Sequence, residues 1–230
     1  MRWIFAGLMW LAAGSALGFT ADANWQMHML AAGAAYERGD YGETERQLSA
    51  AIKEAEAYGQ GDRRLLAALD GLADLNRLRG NYRDALVLYR RALKVRKFAF
   101  GPDHPEVATG LNHLAQLHQM RGDYAAAEPL FKQSLAIYRA TLGPQHAHVG
   151  TLLNNLAELY HPQGRHAEAE ARYREAIAIW EVSLGPAHRF VATALENYAA
   201  LLHETGRGTE AKALEVRAKR IRANSNEVGR

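Results

Sequence analysis

Gly101-Pro102-Asp103-His104, Gly143-Pro144-Gln145-His146 and Gly185-Pro186-Ala187-His188 are one short motif at a strict spacing of 42 residues. Val107, Val149 and Val191 follow the three histidines, and one step further back in the same register lands on Leu65. The 42-residue step also connects Gly80, Gly122, Gly164 and Gly206, then Ala73, Ala115, Ala157 and Ala199, then Ala85, Ala127, Ala169 and Ala211. Tyr89, Phe131 and Tyr173 keep the same register. Several residue types repeating together define a tandem array, in which each unit buries its apolar face on the next.

Each unit reads as two helices, A and B. In the third, Leu111, Leu114, Ala115 and His118 recur at helical spacing and form the buried stripe of helix A. Gly122 suits a left-handed stop, and Asp123 is a cap candidate for helix B, as are Asp40 and Asp103 for theirs. Ala127, Phe131 and Leu135 line one face of helix B until Gly143-Pro144 stops it. Small Ala115 and Ala127 predict a close approach of the two helices, with Phe131 filling space towards the neighbouring unit.

Leu153-Asn154-Asn155-Leu156-Ala157-Glu158-Leu159-Tyr160 resembles helix A of the tetratricopeptide repeat, more narrowly the 42-residue version found in kinesin light chains. Gly143-Pro144-Gln145-His146 resembles that family's inter-repeat turn. The resemblance covers about residues 24–222. It implies an all-α fold, a right-handed superhelical solenoid of about five helix-turn-helix units near 24–61, 62–103, 104–145, 146–187 and 188–223. Residues 224–230 read as a disordered tail. The first unit departs from the register, with one extra residue expected between Tyr41 and Gly59. In the last unit Glu215 and Lys219 replace core positions, leaving the single apolar stripe Ala211, Leu214, Ala218 and Ile221 of a terminal cap.

The N-terminus reads as an address. Arg2 is followed by 19 uncharged residues, Trp3 to Ala21, densest in apolar side chains up to Ala13. Ala21-Asp22-Ala23 supplies a small-residue cleavage pattern, so residues 1–23 are expected to be a secretory signal cut after Ala23. The chain is therefore expected to be exported, to a bacterial periplasm or outside the cell. The alternative is an inner-membrane anchor at residues 3–21, the one circumstance in which a membrane partner is expected.

Composition excludes several functions. The chain has 230 residues with 48% hydrophobic and 23% charged side chains, an ordinary globular balance. The net charge of +3 is too small to argue for nucleic acid, and the local excess at Arg207–Arg230 reads as the solvated back of a capping helix. Without Cys there is no disulfide, thiol nucleophile or thiolate metal site. No phosphate loop, dinucleotide fingerprint, nucleophile elbow or HExxH motif occurs, so no enzyme and no cofactor is expected. His104, His146 and His188 sit on successive repeats, too far apart to share a metal, and are expected to bond backbone at the helix junctions. His118 falls on a buried stripe and is expected to be a satisfied core histidine.

The informative residues are those of helix A that leave the buried stripe. In the third unit these are Thr109, Asn112, Gln116 and Gln119, and in the fourth Thr151, Asn154, Glu158 and His161. Thr193, Glu196 and His203 extend the set on one side, and Asp70, Asp74 and Arg77 on the other. In a helix-pair superhelix they would line a concave groove, polar and rich in amides. An asparagine both donates and accepts, so it can read an extended backbone without regard to sequence. The resemblance implies the same, because Asn112 and Asn154 match the asparagines that bind peptide in such grooves. Counting Asp70, Asp74, Glu158 and Glu196 against Arg77 gives the groove −3, and an extended neutral or basic segment of a protein partner is expected. Two other roles remain open, a scaffold working through self-assembly or edge contacts, and an accessory subunit of an envelope enzyme. Pro162, near the end of a helix A, should shorten that helix.

Overall fold

The computed structural model describes residues 21–227. They form helices α1 (Ala21–Glu37), α2 (Tyr41–Glu56), α3 (Arg63–Leu78), α4 (Tyr82–Phe100) and α5 (Pro105–Met120), then α6 (Tyr124–Leu142), α7 (Ala147–Tyr160), α8 (His166–Ser183), α9 (Arg189–Glu204) and α10 (Gly208–Glu227). No strand occurs among the described residues. Odd-numbered helices are the A helices and even-numbered ones the B helices of five pairs. The chain divides into two compact units, Met1–Pro102 with α1–α4 and Asp103–Arg230 with α5–α10.

The 42-residue register is a register of caps. Asp62, His104, His146 and His188 are the N-caps of α3, α5, α7 and α9, and each side chain accepts the backbone N–H two residues on, at 2.8, 3.1, 3.2 and 3.2 Å. The histidines thus bond backbone at the junctions, as expected. Asp103 does not cap; His104 takes that place, in the register of His146 and His188, and Pro105 suits the first helical position. Asp40 and Asp123 cap α2 and α6 by accepting from Glu43 N at 2.9 Å and Ala126 N at 3.3 Å. Gly122 and Gly143 leave their helices at φ +75° and +88°, which an L side chain rarely adopts.

In the first unit Trp25 and Met29 of α1 pack with Leu48 and Ile52 of α2, Leu65, Leu69 and Leu72 of α3, and Val95 of α4. The extra residue expected between Tyr41 and Gly59 is not there: that stretch is one residue shorter than Tyr82 to Gly101, and α2 has 16 residues against 19 in α4. In the second unit Phe131 and Tyr173 are completely enclosed, and the neighbouring Ala115, Ala127, Ala157 and Ala169 have no exposed surface, so A and B helices meet without a methylene between them. Removing a large apolar side chain of this kind fully from water contributes roughly 1.5–3 kcal/mol. Between B helices, Arg139 of α6 pairs with Glu175 of α8 at 2.5 Å, while Glu181 of α8 pairs with Arg217 of α10. These are the same two positions one repeat apart, with the charges exchanged.

Helix α7 has 14 residues against 16 in α5 and α9, and a single 3-10 turn at His161–Gln163 follows it. Pro162 has no N–H to continue the ladder, so the expected shortening is present. On α10, Ala211, Ala218 and Ile221 are buried and Val216 is exposed, the single stripe of a cap. That helix runs on to Glu227, into the stretch from residue 224 expected to be a tail, because no Pro or Gly stands before Gly229 to stop it. Residues 1–20, the bulk of the expected signal or anchor, lie outside the described residues, and Ala21–Ala23 opens α1. No helix among the described residues is long and apolar enough to cross a membrane.

Candidate protein interface

Helices α5, α7 and α9 of the second unit are tied side by side by their polar residues. Asn155 Nδ2 of α7 donates to Asn112 Oδ1 of α5 at 2.9 Å. Asn197 Nδ2 of α9 donates to Glu158 Oε1 of α7 at 2.7 Å, and Asn154 Nδ2 donates to the same oxygen at 2.8 Å. Just past α7, His161 Nε2 lies 2.9 Å from Glu204 Oε2. The asparagines therefore do two jobs, bridging adjacent A helices while leaving some capacity unused. Asn112 is half-buried. Asn154 is only 7% exposed, and its Oδ1 is buried with no donor.

The other expected contact residues divide clearly. Thr109 and Thr151 are half-buried and turn their hydroxyls back to Pro105 O and Ala147 O at 3.2 Å each; Thr109 also meets the Tyr138 hydroxyl at 2.7 Å. Gln116 and Gln119 are half-buried and take no hydrogen bond from the described residues. His203 is paired with Glu215 at 2.9 Å.

The charge count needs correcting. Asp70 accepts both guanidinium nitrogens of Arg96, at 3.0 and 2.5 Å, and Arg96 is only 3% exposed. Asp74 accepts the Tyr89 hydroxyl at 2.6 Å and Arg77 at 3.0 Å. Glu196 holds Arg222 at 3.0 and 2.7 Å, and that guanidinium keeps its carboxyl below the usual range. Arg96 and Arg222 lie on B helices, so a count along the A helices left them out. With them, the expected −3 shrinks to a single uncompensated charge on Glu158. Glu158 has two amide donors and no ion pair among the described residues, and burial raises its pKa against the pull of the two amides.

The bridging partners Asn155 and Asn197 carried no expectation from the sequence. Their signal was available: His113, Asn155 and Asn197 form a polar column at the 42-residue step, immediately beside the column of Asn112 and Asn154. His118 is buried and bonds Asp123 Oδ2 at 3.0 Å, the satisfied core histidine expected. Among the described residues no three His, Cys, Asp or Glu side chains are placed to hold a metal ion.

The tetratricopeptide repeat family model matches residues 66–140 and 148–224, more than half of the chain. Among solved structures, BtubC (BKLC) from P. vanneervenii is similar at 25% identity and TM-score 0.78, with 90% of this chain and 82% of that one covered. A putative kinesin light chain with nearly identical repeats, from Podosopora anserina, is similar in fold at 22% identity and TM-score 0.71, covering 89% and 97%. MamA from Desulfovibrio magneticus is similar in fold at 13% identity and TM-score 0.62, covering 87% and 96%. No curated protein matches the sequence. The repeated caps, the five helix pairs and these likenesses agree, and the chain belongs to the tetratricopeptide repeat family, whose fold serves protein–protein interaction.

Proposed function

We propose that this chain is a non-catalytic interaction module that seats an extended segment of a protein partner along α5, α7 and α9 of its second unit. The observation that carries the reading is the polar face at Asn112, Gln116 and Gln119, half-buried side chains of which both glutamines take no hydrogen bond from the described residues. Amides held at a fixed spacing on rigid helices, with unused donors and acceptors, match a peptide backbone. The preferred segment is neutral or basic, because the remaining uncompensated charge on this face is the carboxylate of Glu158. We place the protein outside the cytoplasm on the reading of residues 1–23, which N-terminal sequencing of the protein recovered from its cells would test.

The decisive experiment is a peptide-array capture by wild type and by Gln116→Ala/Gln119→Ala, with circular dichroism confirming equal helicity. Loss of these amides should weaken captured segments by about tenfold, since neither supports the fold. Equal capture by both proteins would move the contact surface elsewhere.

A further inference from the structure

We propose that Glu158, Asn154 and Asn197 form a pocket that selects one cationic side chain, lysine or arginine, in the bound segment. This rests on the peptide-seating reading above and adds the identity of one side chain.

Among the expected contact carboxylates, Asp70, Asp74 and Glu196 each have an arginine, while Glu158 has none. Both amides grip its Oε1, so the carboxylate is oriented, and Oε2 takes no hydrogen bond from the described residues. An ionised carboxylate only accepts, which obliges Asn154 to turn its Nδ2 to Glu158 and leaves Oδ1 of the same amide without a donor. Asn154 is more than nine-tenths buried, and a buried acceptor without a donor is uncommon in a native interior. No ion pair reaches Glu158 among the described residues. Tyr173 of α8 lies within the field of Glu158 and Glu204, which with burial raises its hydroxyl pKa, and Glu204 is already engaged by His161.

Among the described residues Glu158 thus has a carboxylate with no cation, and the Asn154 amide that holds it keeps an oxygen with no donor. Ammonium and guanidinium groups, cationic and carrying several N–H donors and no acceptor, answer the Glu158 carboxylate; a carboxylate would be repelled, and a neutral amide would bring no charge. The pocket occurs once. At the matching positions Asp74 is held by Arg77 and Tyr89, Gln116 is neutral, and Ala200 is apolar. One basic residue would therefore set the register of the whole segment.

The test uses the full chain and two probes. Methylguanidinium is titrated while the side-chain amide NMR signals of Asn154 and Asn197 are followed, in wild type and in Glu158→Gln. Separately, blocked decapeptides of alternating Gly and Ser with Lys, Arg, Gln or Glu at the centre are measured for binding. The pocket predicts saturable shifts of both amides in wild type and none in Glu158→Gln, together with Lys and Arg peptides binding about tenfold tighter than the Gln peptide, a preference that Glu158→Gln abolishes. Unmoved amides, or a Lys/Arg preference that survives Glu158→Gln, would overturn the pocket while leaving peptide seating intact. Amide shifts without binding of any peptide would support the pocket and overturn the peptide-seating reading.

Discussion

Glu128 of α6 receives both terminal nitrogens of Arg165, at 2.7 and 3.2 Å, across the junction between two repeats. The Tyr160 hydroxyl donates to the same carboxylate at 3.0 Å, and the Arg165 guanidinium lies over the Tyr160 ring at 3.9 Å. One repeat later Glu170 is bound by Arg207 at 2.7 Å and by the hydroxyl of Tyr198, a tyrosine from an earlier position of its helix than Tyr160, at 2.7 Å. A carboxylate between two repeats, with an arginine and a tyrosine closing on it, is thus a repeated clasp.

The clasp makes acid sensitivity predictable. Hydrogen bonds from Arg165, opposed in part by desolvation, pull the Glu128 pKa from 4.5 to about 2. A depressed carboxylate contributes stability that is complete above the ordinary value and is lost as pH falls from about 4.5 towards about 2. Solvent screens the pair, so Glu128→Gln should cost only about 1 kcal/mol at pH near 7. Urea unfolding of both proteins should show that difference shrinking towards zero at the acid end. A difference independent of pH would mean that packing, not the charge, holds the clasp.

The His188 cap titrates in another window. To accept a backbone N–H, Nδ1 of His104, His146 and His188 must carry no proton. Burial, with Arg189 beside it, holds His188 below its ordinary 6.5. A depressed histidine contributes stability that is present above the unfolded value and lost as pH falls through the folded value. His188→Ala should cost about 1 kcal/mol at pH above 7, whereas His188→Asp should keep the cap and remove that histidine's share of the loss below 6.5. Asp62, which caps α3 at 2.8 Å in the same register, is the natural precedent. Thermal unfolding of the three proteins across this pH range checks both claims.

Gly150 and Trp180 form a matched pair. A Cβ on Gly150 would lie 2.8 Å from Trp180 Nε1 and 3.0 Å from its Cδ1, and that indole donates to Ala147 O at 3.0 Å. Gly150→Ala should destabilise by about 1–3 kcal/mol and change the Trp180 fluorescence. Gly71→Ala is the control, because its Cβ meets the flexible end of Leu48 at 3.1 Å, and it should cost less. Equal costs would show that the indole has room to move aside.

The exchanged bridges offer a cycle. Glu181→Arg places two arginines opposite each other, and Arg217→Glu places two carboxylates there; each change alone should lose stability. The double change Glu181→Arg/Arg217→Glu should recover it, with a coupling of about 0.5–1 kcal/mol that diminishes in high salt. Chemical denaturation of the four proteins at two salt concentrations measures that coupling, and a value of zero would make the bridge incidental.

Much of this molecule was legible because a repeat multiplies weak signals. The helix pairs, the glycine stops and the histidine junctions each appear several times in one register, so accidental matches drop out. Charge was less legible. Asp70 and Arg96 are 26 residues apart, on different helices, and periodicity orders residues along one helix without saying what the next presents. The same blindness hid the partners of Asn112 and Glu158, since Asn155 and Asn197 reach them sideways, from neighbouring A helices. His104 and not Asp103 caps α5, as the register of His146 and His188 could have shown.

The B-helix bridges carry a further meaning. Removing residues 146–187 would delete one whole repeat and bring Arg217 to the place where Glu175 meets Arg139. Cation would then face cation, although every hydrophobic contact position kept its period. The modules look interchangeable when aligned on their glycines and alanines, yet they are keyed like links that join in only one order. Shortening or shuffling the array by recombination would meet that barrier before any partner was encountered.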